Sequence, residues 1–77
     1  MNKTEYAWTI QNNDNMYVVL EYPLTDKPTH LGWHYDLYMA TFMKERTLKL
    51  VMKWYKPFLL NCRPVKIKIS IVGEDDE

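Results

Sequence analysis

The sequence predicts an α+β domain: a small three- or four-stranded, mainly antiparallel sheet in the order ββ(β)αβ, with one helix packed on one face. Three observations carry this reading. Two aromatic-rich segments of alternating hydrophobicity flank a polar turn near the N-terminus. One stretch, Lys44–Lys56, repeats its apolar residues at helical spacing. The segment Val65–Val72 alternates aliphatic and polar residues with the period of a strand.

Glu5–Ile10 places Tyr6, Trp8 and Ile10 on one face of a first strand. Gln11-Asn12-Asn13-Asp14-Asn15 follows, a run of residues whose side chains bond nearby backbone and favour turns. Met16–Tyr22 is a second strand, with Val18, Leu20 and Tyr22 on one face and Tyr17 and Val19 on the other. The two strands and their turn read as a β-hairpin, and Pro23, which has no N–H to donate, ends the second strand or sets it at an edge. Thr25–Gly32 is a loop marked by Pro28 and Gly32. Trp33–Phe42 admits two readings: a short third strand over Leu37–Thr41, which is the expectation adopted, or a helix opening on Leu37, Ala40 and Thr41.

Lys44–Lys56 is the helix. Leu48, Val51, Met52 and Tyr55 form its core-facing stripe, which Leu50 and Trp54 widen. Arg46, Lys49, Lys53 and Lys56 take the other side, Glu45 pairs at i,i+4 with Lys49, and Pro57 stops the helix. Phe58–Pro64 connects to the last strand, where Val65, Ile67, Ile69 and Ile71 face one way and Lys66, Lys68 and Ser70 the other. The expected core brings the helix stripe onto Ile67, Ile69 and the Trp8 face of the hairpin.

Seventy-seven residues make one domain, expected over 1–73 with an acidic tail at 74–77. A chain of this size buries only about 60% of the surface that its unfolded form exposes. With Cys62 as the one cysteine, no internal disulfide adds to that margin, and a reducing compartment is expected. Three Trp, six Tyr and two Phe supply the hydrophobic mass instead. No run approaches the roughly 20 apolar residues of a membrane span. Met-Asn-Lys-Thr-Glu-Tyr lacks the apolar core of a signal peptide, so the expectation is a cytoplasmic protein with no membrane partner.

The neutral formal charge hides a polarised molecule. Lys44, Arg46, Lys49, Lys53, Lys56, Arg63, Lys66 and Lys68 stand against Glu45 alone, whereas residues 1–43 are net acidic and Glu74, Asp75, Asp76 and Glu77 close the sequence. Sorted charge orients an approaching partner. The basic set Arg46, Lys49, Lys53, Lys56, Arg63, Lys66 and Lys68 is the footprint expected of a nucleic-acid surface. The outer faces of a helix and of the strand under it point in opposite directions, so this set is equally consistent with two solvated faces.

Catalytic chemistry finds little support. Cys62 has Arg63 beside it, which lowers a thiol pKa, but no Cys–His–Asn order or glycine-framed nucleophile turn accompanies it. Two glycines cannot build the usual phosphate-cradling loop. His30, His34, Asp36 and Cys62 are metal-ligand types, yet the second tight ligand pair of a small zinc site is missing. No enzyme activity, metal or cofactor is therefore expected. Aromatics exceed what so small a core absorbs; Trp33, Tyr35 and Tyr38, following a Pro/Gly loop, are the expected anchors for a protein partner, with Arg46, Lys49, Lys53 and Lys56 as a steering rim.

Tyr17-Val18-Val19-Leu20-Glu21-Tyr22-Pro23 closing a hairpin, then Ala40-Thr41-Phe42 leading into a lysine-rich helix, then one final strand, resembles small accessory proteins of bacterial viruses. Anti-CRISPR proteins and other inhibitors of host defence are of that kind. The likeness rests on size and element order and carries over no functional residue. It implies a lone α+β domain without catalytic motifs that inhibits a larger host protein, such as a CRISPR effector nuclease. Many anti-CRISPR proteins are acidic mimics of DNA, and the basic segment 44–68 departs from that pattern.

Overall fold

Two long strands, β1 (Asn2–Gln11) and β4 (Arg63–Val72), form an antiparallel ladder that runs from Asn2 opposite Val72 to Gln11 opposite Arg63. The computed structural model describes residues 2–72, so the acidic tail expected at 74–77 lies outside the described residues. Two short strands, β2 (Tyr17–Val19) and β3 (Gly32–His34), complete a four-stranded sheet in the order β3-β2-β1-β4, with every pair antiparallel. One helix, α1 (Glu45–Trp54), packs on it. The α+β class and the single helix are as the sequence predicts.

The asparagine-rich turn forms through the side chain of Asn12, whose Oδ1 accepts from the backbone N–H of Asp14 and of Met16 at 2.9 and 3.0 Å. Asn15 takes a left-handed φ of 62°, a conformation that asparagine tolerates better than most residues. The hairpin that follows is shorter than expected. β1 and β2 share one register pair, Gln11 and Tyr17, and β2 ends at Val19 rather than at Tyr22. The chain Thr41–Met43 takes its place: Thr41 donates to the Val18 carbonyl at 2.9 Å, and Met43 exchanges backbone bonds of 2.7 and 2.8 Å with Trp8.

The third strand lies at Gly32–His34, upstream of the expected Leu37–Thr41, with Val18 opposite Trp33. Gly32 permits the close approach; a Cβ there would meet the Val19 carbonyl oxygen at 3.1 Å. Leu37–Met39 is instead a 3-10 turn. Asp36 accepts from the Tyr38 N–H, and the His34 ring Nδ1 accepts from the Asp36 N–H, both at 2.9 Å, so local side chains bend the strand away.

Helix α1 starts one residue later than expected and gives way at Tyr55 to a 3-10 turn, Lys56–Phe58, that contains Pro57. Its stripe is as predicted at Leu48, Val51 and Tyr55, which are buried, and at Met52 and Trp54, which are half-buried against the core. Leu50 departs from the expected stripe and is exposed. These side chains cluster with Ile10, Val18, Leu20, Met43 and Leu59, and Trp8, Leu31 and Trp33 pack around them.

Strand β4 turns the opposite face to the helix from the one its alternation suggests. In an antiparallel pair, residues directly opposite share a face. Trp8 is opposite Lys66, and Ile10 opposite Pro64, so the even-numbered side chains of β4 are on the helix side. Val65, Ile67 and Ile69 therefore face away from α1, opposite Thr9, Ala7 and Glu5; they are half-buried and take no part in the core cluster, and Ile71 is exposed. The expected contact of the helix stripe with Ile67 and Ile69 does not form, while that with the Trp8 face does. Thr9, on the face away from the helix, is fully buried, and its Oγ1 makes no hydrogen bond among the described residues, a state that typically costs about 1–3 kcal/mol.

Beyond Trp8 no strand borders the outer side of β1 among the described residues. The ladder continues there as a two-stranded ribbon, and the molecule measures 47 × 24 × 17 Å. Its radius of gyration is 14.2 Å, against about 11.5 Å for a compact chain of this length. Core energetics should divide accordingly. Ile10→Ala, at a sealed position, is expected to cost about 2–5 kcal/mol in chemical denaturation, and Ile69→Ala, on the ribbon, less than about 1.5 kcal/mol. Equal losses at the two positions would place Ile69 in the core after all.

Candidate functional site

Among the proposed anchors, Tyr35 and Tyr38 are freely presented and Trp33 is not. Tyr35 is 69% exposed and Tyr38 91%. Met39 and Phe42 add exposed apolar surface on the same segment. That segment is fastened at both ends: His34 and Asp36 cap its start, and Thr41 donates its N–H to Val18 of β2 and accepts at its Oγ1 from the N–H of Leu20, just past β2, at 2.9 Å. The tyrosines thus project from a held turn.

Trp33 is half-buried because β3 pairs with β2 and turns its indole onto the core. Its remaining surface helps to line an open depression of 460 Å³ with Pro57, Phe58 and Leu60. Phe58 and Leu60 are both exposed, Leu60 at 76%. Sequence reasoning passed over Leu60 because it lies in a connection with no periodicity to mark a face, and Phe58, which it set inward with Trp8 and Trp54, is instead exposed. A second open depression, of 520 Å³, lies over Met52, Leu59 and Leu60 beside Lys53 and Lys56. A narrower cleft of 180 Å³ runs between the end of β2, the loop that follows it and Tyr55. Ordinary ligand pockets are about 300–1,000 Å³ and well enclosed, so this cleft is undersized for one.

The basic residues divide by register. Arg46, Lys49, Lys53 and Lys56 are all exposed along α1 and its 3-10 extension. Lys66 and Lys68 lie on the helix side of the sheet, not on the opposite face as the sequence suggested. Arg63 pairs in register with Gln11, on the other face, and its Nη2 donates to Gln11 Oε1 at 2.6 Å. Six of the seven proposed nucleic-acid residues therefore share one side of the molecule.

Two aromatics of β1 flank the lysines of β4. Trp8 stands opposite Lys66 and Tyr6 opposite Lys68. The Lys66 ammonium lies 4.6 Å from the Tyr6 ring centroid and 5.8 Å from that of Trp8, within cation–π range. Tyr6 is 56% exposed. The sequence sets Tyr6 on the Trp8 face, but this pairing was not legible in it, because the pairing depends on which residues of β4 come to face β1 from more than fifty positions away.

The potential metal ligands do not converge. His30 shares a 3.0 Å contact with the Thr29 hydroxyl and lies 3.9 Å from Glu21, while His34 is engaged by the Asp36 backbone. Among the described residues, no three of His, Cys, Asp and Glu come together in metal-binding geometry. Cys62 is half-buried against the core. Burial pushes its thiol pKa up, and a backbone hydrogen bond at Asn61 opposes this more weakly. The neighbouring Arg63, engaged with Gln11, does not produce an activated thiolate.

No family model, curated protein or solved structure matches the chain.

The Cys62 thiol supplies a direct test. Its iodoacetamide alkylation rate should rise with pH through a midpoint above the ordinary thiol value of about 8.5. Because the folded pKa is raised, the unfolded state ionises first. The associated stability is complete below that ordinary value and is lost as pH climbs through the folded pKa. A midpoint at or below about 8.5 would contradict the assignment.

Proposed function

We propose that the protein acts stoichiometrically and without catalysis, docking on a larger protein through Tyr35, Tyr38 and the neighbouring apolar surface. The observation that carries this is the exposure of two tyrosines on a turn held at both ends. A turn whose backbone is already held loses little backbone freedom on binding, and aromatic anchors dominate interface energetics. Trp33 serves as the floor of the depression lined by Pro57, Phe58 and Leu60. Arg46, Lys49, Lys53 and Lys56 steer the encounter with an acidic partner surface. In its most specific form, taken from the resemblance to anti-defence proteins of bacterial viruses, the target is a nucleic-acid-handling machine of the host cytoplasm such as a CRISPR effector nuclease.

A second reading, direct binding of single-stranded nucleic acid, is favoured by one observation. Tyr6, Trp8, Lys66 and Lys68 alternate aromatic and cation across one face of the ribbon. Stacking platforms for single strands combine those two groups, with roughly 1–3 kcal/mol per stacked base.

A tagged pull-down from bacterial lysate distinguishes the readings. Under docking, the tagged protein retains a nucleic-acid-handling protein at equimolar amount after nuclease treatment, and Tyr35→Ala/Tyr38→Ala loses it. Equal recovery by that variant, or no recovered protein, contradicts docking. Under the second reading, a labelled oligonucleotide binds the purified protein with affinity that falls steeply with salt, and Tyr6→Ala/Lys66→Ala weakens it.

A further inference from the structure

The outer edge of β4 has the makings of an interface with a second copy of this chain, and we infer that two copies pair antiparallel along β4 about a two-fold axis at Ile69. This inference stands independently of the docking reading. It begins with the backbone. Trp8 spends its N–H and C=O on Met43, on the side of β1 away from β4. A residue opposite such a position points its own backbone groups away from the shared ladder. Lys66 therefore presents its N–H and C=O at the outer edge, and by alternation so do Lys68 and Ser70. Pro64 occupies another of these outward positions, opposite Ile10, where its missing N–H removes no bond to β1. Among the described residues, no backbone group bonds that edge.

A long unpaired edge of alternating isoleucines is a template for another strand. The ribbon also needs one, since two strands alone are marginally stable in water. The sequence of β4 favours its own copy in a single neighbourhood of registers. With the axis at Ile69, Lys68 of one copy exchanges backbone bonds with Ser70 of the other, and Lys66 with Val72. Ile69 meets Ile69, and Ile67 meets Ile71, on the face away from α1. No two lysines stand opposite each other. Moving the axis to Lys68 sets Lys68 against Lys68, and moving it to Ile67 sets Lys66 against Lys68. Like charges directly opposite are destabilising, so those registers are disfavoured. The edge of β1 along the ribbon, with Lys3, Thr4 and Glu5, lacks this apolar alternation.

Sedimentation velocity on the full chain, over a concentration series, tests the pairing. The wild type should be a dimer at high concentration. Ser70→Pro removes an outward N–H that β1 does not use, so it should yield a monomer with an unchanged circular dichroism spectrum. Ser70→Lys sets the introduced ammonium opposite Lys68 twice per dimer and should weaken association roughly tenfold. Adding Lys68→Glu to Ser70→Lys restores opposite charges across the axis and should restore the dimer, which a merely damaged fold would not do. A wild type that is monomeric throughout the series, or a dimer indifferent to Ser70→Lys, would overturn the inference.

Discussion

The register of the β1–β4 ladder is the constraint on which the rest of this structure depends. Trp8 and Ile10 must face inward, because Ile10 is sealed against Val18 and Val51, and Trp8 packs around the same cluster. Once they do, pairing dictates the other strand. Lys66 and Lys68 come to the helix side, and the isoleucines come to the side away from α1. A slip of one residue would exchange the two faces of β4, setting Ile67 against the core and removing lysine from Trp8. The core is thus built chiefly from β1, β2 and α1, and β4 contributes backbone bonds more than burial.

Several surface properties follow from that choice. The cation–π contacts of Lys66 exist because the aromatic face of β1 outruns the helix that covers its inner end. Basic residues that a simple sandwich picture would divide between two sides collect on one, Arg63 excepted. The apolar residues left outside fall into separate zones: tyrosines on the held turn after β3, Phe58 and Leu60 beside Trp33, and aliphatics along the ribbon. Each zone is small.

Local patterns were legible in the sequence. The helix, its stripe at Leu48, Val51 and Tyr55, the Asn-rich turn and the last strand all follow from spacing and turn chemistry within a few residues. What failed was non-local. Alternation shows that Val65, Ile67 and Ile69 share a face, but not which face; that is decided by the register with β1. The third strand was misplaced because Leu37–Thr41 has strand-like residues, whereas the capping of Asp36 and the fit of Gly32 beneath Val19 depend on contacts that spacing cannot reveal. Tyr35 and Tyr38 could be singled out from a surplus of aromatics, but Trp33 could not be separated from them until β3 was paired.

Cross-strand nuclear Overhauser effects between Hα protons measure the register itself, since non-hydrogen-bonded antiparallel pairs bring their Cα atoms to about 4.5 Å. The structure predicts Hα–Hα effects between Trp8 and Lys66 and between Tyr6 and Lys68. Effects from Trp8 to Val65 or to Ile67 in their place would contradict the register and mean that the isoleucines face the helix.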